Sequence, residues 1–254
     1  MNRCKKLLIT FFLFLLLFSM GNLGDILIDN YMLEAQVKEL EQQRTTGITI
    51  PLPGNQVEPI GTKKVVLPEF QKLVLQNKDI VGWLEIAGTQ VNYPVMQSYE
   101  NPEYYLNHDF GGKENKNGLP FLDARYKINE SDVLLIHGHN MRSGLIFNEL
   151  MKYKKESFYQ KHSNIQFNTL YEKGTYEIVA VILSKVYQKE DVFKYYEFVS
   201  FKTETEFEYF FKNIRQLSLY DTGRTAQFGD QFIILSTCEY STENGRLAVV
   251  ARKM

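Results

Sequence analysis

The sequence predicts a mostly β domain of the α+β class, a barrel-like sheet of seven or eight strands with three or four helices beside it. Short apolar runs rich in β-branched and aromatic residues recur from residue 80 to the C-terminus. They follow one another along the chain instead of alternating strictly with helices, which distinguishes this class from α/β folds. No internal repeat or low-complexity tract accompanies them.

Length and composition indicate one domain with one core. The chain has 254 residues, of which 44% are hydrophobic and 14% aromatic, enough for one sizeable core once an N-terminal segment is set aside. Its 29 basic and 30 acidic residues leave a formal charge of −1. This balance gives no electrostatic basis for nucleic acid as a partner.

The N-terminus has the composition of a membrane anchor. Residues 2–6 are basic, and residues 7–20 are almost wholly apolar. The apolar stretch reaches the roughly 20 helical residues that a bilayer core of about 30 Å requires if Asn22 and Asp25 lie near the outer interface. Because basic flanks stay in the cytoplasm, we expect residues 1–29 to form a cytoplasmic tip and a single membrane span, with the remainder extracellular.

A cleaved signal peptide is the alternative for this segment, because its strongest apolar stretch is short. No cleavage site of the A-x-A type follows Met20, and the sequence therefore favours an uncleaved anchor.

Residues 30–65 are expected to form an extracellular helix and a linker. Apolar residues recur on one helical face from Met32 to Leu40. Residues 45–64 contain repeated Pro and Gly and have no helical period, which is typical of a linker. The folded domain is accordingly assigned to residues 66–254.

The elements of this domain follow from local patterns. Pro68 begins a short helix, Ser143 and Gly144 open a helix over residues 145–162, and the capping box that starts at Thr203 opens an aromatic-faced helix. β-branched and alternating runs predict the strands. These are residues 80–86, 91–96, 118–125, 133–136, 165–170, 175–186, 232–235 and 247–251.

A candidate nucleophile lies at the end of one of these strands. The run Phe232–Leu235 leads into Ser236, Thr237 and Cys238, and the Asn-Gly pair at 244–245 then turns the chain into a strand that opens with Arg246. The thiolate is the reactive form of cysteine, and a neighbouring positive charge favours it. Cys238 beside Arg246 is therefore a plausible nucleophile site.

The candidate base lies about a hundred residues upstream. The strand at 133–136 ends in His137-Gly138-His139, and two strand ends can meet at one end of a barrel. A His-x-His pair could also bind zinc, but the sequence offers no further nearby His and no carboxylates at ligand spacing. We expect neither a metal nor another cofactor.

Only two cysteines occur, Cys4 and Cys238. If the N-terminus stays cytoplasmic, the membrane separates them and no internal disulfide forms. Cys238 is then available for chemistry.

Several motifs together resemble the sortases, membrane-bound cysteine transpeptidases of Gram-positive bacteria. They are Leu-Ser-Thr-Cys at 235–238, an Arg eight residues later, and Gly-His-Asn-Met at 138–141. The segments 79–84 and 105–107, with the long insert at 187–220, are similar to class B of that family. One departure is Ile234, where the family more often has Thr.

The resemblance implies a closed β-barrel whose catalytic residues are Cys238 as nucleophile, His139 as general acid/base and Arg246 as oxyanion stabiliser. It places Leu106 on the wall of the substrate groove. Four residues are expected to contact substrate: Leu106, Ser236, Thr237 and Glu239.

The activity that the resemblance implies is transpeptidation. A surface protein would be cleaved after Thr in its C-terminal sorting signal, held as a thioester on Cys238 and transferred to an amine of lipid II or peptidoglycan. Assembly of pilins through Lys is the alternative within class B. An L,D-transpeptidase would carry an Arg two residues after its Cys, which Glu239 and Tyr240 do not match. A membrane-tethered binding or assembly module is the non-enzymatic alternative.

Overall fold

The computed structural model describes residues 3–46, 65–187 and 192–254. The four α-helices in these ranges are α1 (Arg3–Thr45), α2 (Pro68–Gln76), α3 (Glu156–Tyr159) and α4 (Glu204–Leu217). The eight strands are β1 (Ile80–Glu85), β2 (Asn92–Met96), β3 (Phe121–Leu122), β4 (Val133–His137), β5 (Asn164–Thr169), β6 (Thr175–Lys185), β7 (Phe232–Cys238) and β8 (Gly245–Lys253).

The strands close into a barrel in the order β1-β2-β3-β4-β7-β8-β6-β5, and β5 pairs back onto β1. The pairs β2–β3 and β4–β7 are parallel, and the other pairs are antiparallel. Closure leaves no unpaired sheet edge among the described strands. The predicted mostly β, barrel-like class is confirmed.

Helix α4 covers the outer face of the barrel. The Thr203 hydroxyl accepts a hydrogen bond from the Glu206 backbone N–H at 3.2 Å, which confirms the predicted cap. Phe207, Phe210 and Ile214 are buried, and the Phe210 ring contacts Phe232 of β7 at 5.6 Å. A central strand such as β7 is therefore buried on both faces, which explains its almost continuous apolar run.

The predicted helix over 145–162 is wrong. A 3₁₀ segment, Asn148–Lys154, is followed by an extended Lys155 and then by α3. Phe147, Leu150 and Tyr153 are fully buried and lie three residues apart, which is the period of a 3₁₀ helix. Ile146, at φ 57°, prevents an α-helix from entering through this segment.

The predicted strand over 118–125 is much shorter in the structure, where β3 contains only Phe121 and Leu122. Gly118 lies at φ 59°, and a Cβ there would come within 2.3 Å of the Leu106 carbonyl oxygen. At the other end, the Tyr126 N–H donates to the Asp123 carbonyl oxygen and turns the chain. The chain leaves the sheet on both sides of this pair.

Helix α1 is continuous through the predicted span and the predicted extracellular helix. It is the one described helix long and apolar enough to cross a membrane, and its apolar N-terminal part is exposed, whereas Leu33, Val37 and Leu40 are buried against the domain. Most of the predicted linker, residues 47–64, lies outside the described residues.

Candidate active site

Strands β4 and β7 bring their C-terminal ends together. They are parallel and in register, with His137 opposite Ser236. Beyond this pair, the Gly138 N–H donates to the Ser236 carbonyl oxygen at 3.1 Å, and the Thr237 hydroxyl donates to the Gly138 carbonyl oxygen at 2.8 Å. His139 and Cys238, which follow these residues, therefore lie at the same end of the sheet.

Cys238 and Arg246 face each other across the antiparallel pair β7–β8. Both side chains are half-buried, and Cys238 is a free cysteine. The turn between them needs residues that tolerate a positive φ or a close approach of the backbone. Asn244 adopts φ 56°, and a Cβ on Gly245 would lie 2.3 Å from the Glu239 carbonyl oxygen. The predicted Asn-Gly turn thus sets Arg246 directly opposite Cys238.

His139 is oriented from the opposite side of the groove. Its Nε2 lies 2.8 Å from the Leu106 carbonyl oxygen. A carbonyl oxygen only accepts, so Nε2 carries the hydrogen in this bond. Gly138 allows the chain to reach this position, because a Cβ there would lie 2.6 Å from the Phe147 ring. The His139 ring is thereby fixed in both position and tautomer.

Asn140 connects the two strand ends and was not found from the sequence. Its Nδ2 donates to the Cys238 carbonyl oxygen at 2.9 Å, while its Oδ1 accepts from Asn148 Nδ2 at 2.7 Å. The side chain is buried. The one signal in the sequence was its position directly after Gly138-His139. The local pattern could not reveal that its hydrogen-bond partner lies 98 residues away.

A groove of about 370 Å³ passes over these strand ends. Six of the residues that sequence analysis assigned to the site line it: Leu106, His139, Ser236, Thr237, Cys238 and Arg246. Residues on the Leu106 side and on the segment before α4 form its walls. These further lining residues include Pro102, Glu103, Phe121, Val186, Tyr195 and Tyr196.

Glu239 is placed differently from the other predicted substrate contacts. It is not among the groove-lining residues that the structure describes. Its carboxylate accepts hydrogen bonds from Lys154 Nζ at 2.5 Å and from the Ser241 backbone N–H at 3.0 Å. These partners lower the pKa of the Glu239 carboxyl, with the Lys154 bond contributing most. In this arrangement the side chain holds the turn after Cys238.

Tyr195 lines the groove and has a buried hydroxyl, which sequence analysis also missed. Its OH lies 2.8 Å from the Ser236 hydroxyl, and both side chains are at most 2% exposed. Burial raises the pKa of Tyr195 to about 12, although the Ser236 bond acts in the opposite direction. The phenol is therefore protonated at neutral pH and is available as a donor.

A charged cluster borders the groove at Asp123. Arg125 donates to its carboxylate from Nε at 3.0 Å and from Nη2 at 2.8 Å, and His137 Nε2 lies 3.4 Å from it. Burial alone would raise the pKa of the Asp123 carboxyl, but the bonds from His137 and Arg125 outweigh it and hold the pKa well below its usual range. His137 is thus engaged with a carboxylate.

The described residues contain no group of three or more His, Cys, Asp or Glu side chains arranged to hold a metal ion. The chemistry available in the groove is that of a thiol, an imidazole and a guanidinium on neighbouring strand ends.

Comparison with known proteins places this geometry in a family. A model of the sortase domain matches residues 84–254. Sortase B of Staphylococcus aureus is 33% identical over 190 residues, covering 74% of this chain and 75% of that protein. Sortase B of Listeria monocytogenes is 34% identical over 189 residues, covering 72% of each chain.

Comparison of the fold with solved structures also indicates the sortase family. A structure of the Staphylococcus aureus sortase B–substrate complex superimposes with a TM-score of 0.74 at 28% identity, covering 89% of this chain and 98% of the other. The sequence match to the family model includes both strand ends of the groove. The chain belongs to the sortase family of cysteine transpeptidases, and its relatives are of class B.

Proposed function

We propose that this chain is a class B sortase that anchors surface proteins to the cell wall, with Cys238 as nucleophile, His139 as general acid/base and Arg246 as oxyanion stabiliser. The observation that carries the proposal is the direct opposition of Cys238 and Arg246 on β7 and β8, in the groove that His139 also lines. Membership in an enzyme family decides against a binding module as the whole function.

The first half of the reaction forms a thioester. The Cys238 thiolate attacks the carbonyl carbon of a Thr residue in the sorting signal, and the Arg246 guanidinium stabilises the negative charge that develops on the carbonyl oxygen. The C–N bond then breaks, and the departing amine takes the proton that His139 received from the Cys238 thiol, which returns His139 to its neutral form. Because Nε2 is hydrogen-bonded to the Leu106 carbonyl oxygen, Nδ1 is the nitrogen assigned to this proton transfer.

The second half transfers the acyl group. An acceptor amine attacks the thioester carbon, loses a proton to His139 and releases the Cys238 thiolate. The proposed acceptor is a stem-peptide amine of lipid II or peptidoglycan. Two solved relatives support both halves: the Staphylococcus aureus sortase B structure is a substrate complex, and another sortase B structure is a complex with triglycine.

Leu106, Ser236 and Thr237 are proposed to contact the sorting signal, because all three line the groove beside Cys238. A substrate contact of Glu239 stays a prediction, since its carboxylate is bonded to Lys154 and Ser241. Residues 66–254 form the proposed catalytic domain. The apolar part of α1 is the proposed single-pass anchor, with the N-terminus cytoplasmic and the domain extracellular.

A transfer assay tests the proposal and separates anchoring from pilus assembly. The full chain in detergent is incubated with a library of Thr-containing sorting peptides and three acceptors: a triglycine amine, a diaminopimelate-type amine and a Lys-containing pilin peptide. Anchoring predicts products with a wall-type amine, identified by mass spectrometry. Products with only the Lys peptide would establish the pilus alternative, and the absence of transfer to all acceptors would contradict both.

A further inference from the structure

The juxtamembrane half of α1 is docked on the domain at several points along its length. Near its start, Asn115 Nδ2 donates to the Asp29 carbonyl oxygen at 3.1 Å. Further along, Gln36 Nε2 donates to Asp109 Oδ2 at 3.2 Å, and Gln36 Oε1 accepts from the Phe110 backbone N–H at 3.1 Å. The segment 107–117 is therefore held against the first turns that follow the apolar stretch.

The other end of the helix is docked on a different part of the barrel. Arg44 Nη2 lies 3.6 Å from Glu85 Oε2, and the Arg44 guanidinium stacks over Trp83 at 4.7 Å. Arg44 and Thr45 also line a hollow with Lys173 in the turn between β5 and β6. At about 1.5 Å per residue, this end is roughly 22 Å along the helix axis from Asp29.

These contacts fix the direction of the domain relative to the anchor, because α1 is unbroken from Arg3 to Thr45. If the apolar stretch spans a bilayer core of about 30 Å, its outer end falls near Asp25 and Asp29. Tyr31, the next aromatic residue, is 71% exposed, and Tyr is a residue type enriched at the membrane interface. The segment 107–117 then lies at the membrane surface, and the β5–β6 turn lies far from it.

Segment 107–117 exposes charged side chains of both signs. Lys113 and Lys116 are exposed and form no ion pair with any residue that the structure describes, and exposed Glu114 lies between them. The segment's other carboxylate, that of Asp109, is bonded to Gln36 of α1. The segment is also internally braced. The Tyr104 hydroxyl donates to the Gly112 carbonyl oxygen at 3.2 Å, and the His108 ring stacks on Tyr104 at 3.8 Å.

We propose that residues 107–117 are the membrane-facing surface of the catalytic domain and rest on phospholipid head groups. This inference builds on the proposed anchor. Leu106, whose carbonyl oxygen accepts from His139, immediately precedes this surface, and the Leu119 N–H donates to the Tyr105 carbonyl oxygen just behind it. The groove is thus held close to the bilayer, where substrates still attached to the membrane can enter it.

Fluorescence quenching of single-cysteine variants tests this orientation. The full chain carrying Cys4→Ser and Cys238→Ala is given one new cysteine, Lys116→Cys, labelled with a fluorophore and inserted into vesicles of phosphatidylcholine and phosphatidylglycerol. Lipids with a nitroxide on the head group act as the quencher. Lys173→Cys is the matched control, because both positions are exposed lysines outside the helices and strands, at opposite ends of the docked helix.

The proposal predicts that the label at 116 loses most of its emission and the label at 173 keeps most of its emission. Equal quenching at both positions, or none at 116, would overturn it. A third variant, Leu16→Cys, is measured with the nitroxide on the acyl chain. Quenching at 16 without quenching at 116 rejects the orientation alone, whereas no quenching at 16 rejects the anchor and with it the orientation. Transfer activity is not involved, since these variants lack Cys238.

Discussion

Cys238, the last residue of β7, lies directly opposite Arg246, the second residue of β8, across the turn at residues 239–244. A guanidinium in this place is a fixed positive charge beside a thiol. Its value for acyl transfer is that the charge is already in position before the oxyanion develops, so little reorganisation is needed during the reaction.

Replacement of Arg246 tests this role. Arg246→Ala should lower kcat by about a hundredfold or more, and Arg246→Lys should lower it less, because Lys keeps the charge but not the planar fork. Steady-state transfer kinetics measure both. Thermal unfolding is the control for stability, and both variants should unfold at nearly the wild-type temperature. Among the described residues, the half-buried Arg246 side chain donates a hydrogen bond only to the carbonyl oxygen of its neighbour Gly245. Wild-type kcat in Arg246→Ala would remove Arg246 from the mechanism.

Asn140 is expected to position the nucleophile. Asn140→Ala removes the bond to the Cys238 carbonyl oxygen, worth about 1 kcal/mol, and should lower kcat by roughly five- to tenfold with little change in KM. Asn148→Ala is the matched control, because Asn148 bonds to Asn140 and not to Cys238. Its kcat should stay within about twofold of wild type. Equal losses in the two variants would show that Asn140 acts only through general stability.

Much of this site follows from local sequence, and some of it does not. The Cys238–Arg246 pair was predictable because both residues flank one hairpin turn with an Asn-Gly signal. The meeting of the 133–137 and 232–238 strands was predictable from their apolar runs and from the resemblance to a family. Tyr195, by contrast, reaches Ser236 across 41 residues from a segment without regular period.

The errors have similar physical causes. Residues 145–162 contain apolar side chains at spacings of three, which helical and 3₁₀ patterns share over short stretches, and only the positive φ of Ile146 and the extended Lys155 decide between them. The substrate contact of Glu239 is not among these errors and stays a prediction; the orientation of its side chain depends on Lys154, a partner 85 residues away. Side-chain direction at a strand end is a tertiary property.

Alkaline pH should destabilise the domain through its buried tyrosines, one of which is Tyr195. The pKa of Tyr195 is raised to about 12 in the folded state, chiefly by burial, against about 10 in an unfolded chain. As pH rises above 10, the unfolded state loses the proton first, so the stability that this protonated phenol contributes below pH 10 declines until the folded pKa is reached. Thermal unfolding is followed from pH 8 to pH 12 in steps of about one pH unit, and the fall in Tm measures the loss of stability.

Two phenylalanine variants test the contribution of Tyr195. Tyr195→Phe should lessen the decline above pH 10 without abolishing it, because burial also raises the pKa of other tyrosines such as Tyr153 and Tyr176. The variant should also carry a constant cost of about 1 kcal/mol for the lost Ser236 bond. Tyr240→Phe is the control, because Tyr240 is 71% exposed, and it should leave the profile unchanged. An equally lessened decline in both variants would exclude burial of Tyr195 as a cause.

The docking of α1 is testable at Gln36. Gln36→Ala removes two hydrogen bonds to the segment 107–117 and should lower the free energy of unfolding by about 1–2 kcal/mol. Gln42→Ala is the control on the same helix, because its side chain is exposed, and it should change stability by less than about 0.5 kcal/mol. Denaturant unfolding of the full chain in detergent compares the two, and equal stabilities would contradict a docked helix.

The central claim is that Cys238 carries the acyl group between donor and acceptor. Intact-protein mass spectrometry of the full chain with a mixed library of Thr-containing sorting peptides tests it most directly. The account predicts an added mass that ends at the peptide's Thr, that is released by an acceptor amine and that is absent in Cys238→Ala. Transfer that persists in Cys238→Ala, or no adduct with any peptide while Cys238 remains open to alkylation, would contradict it.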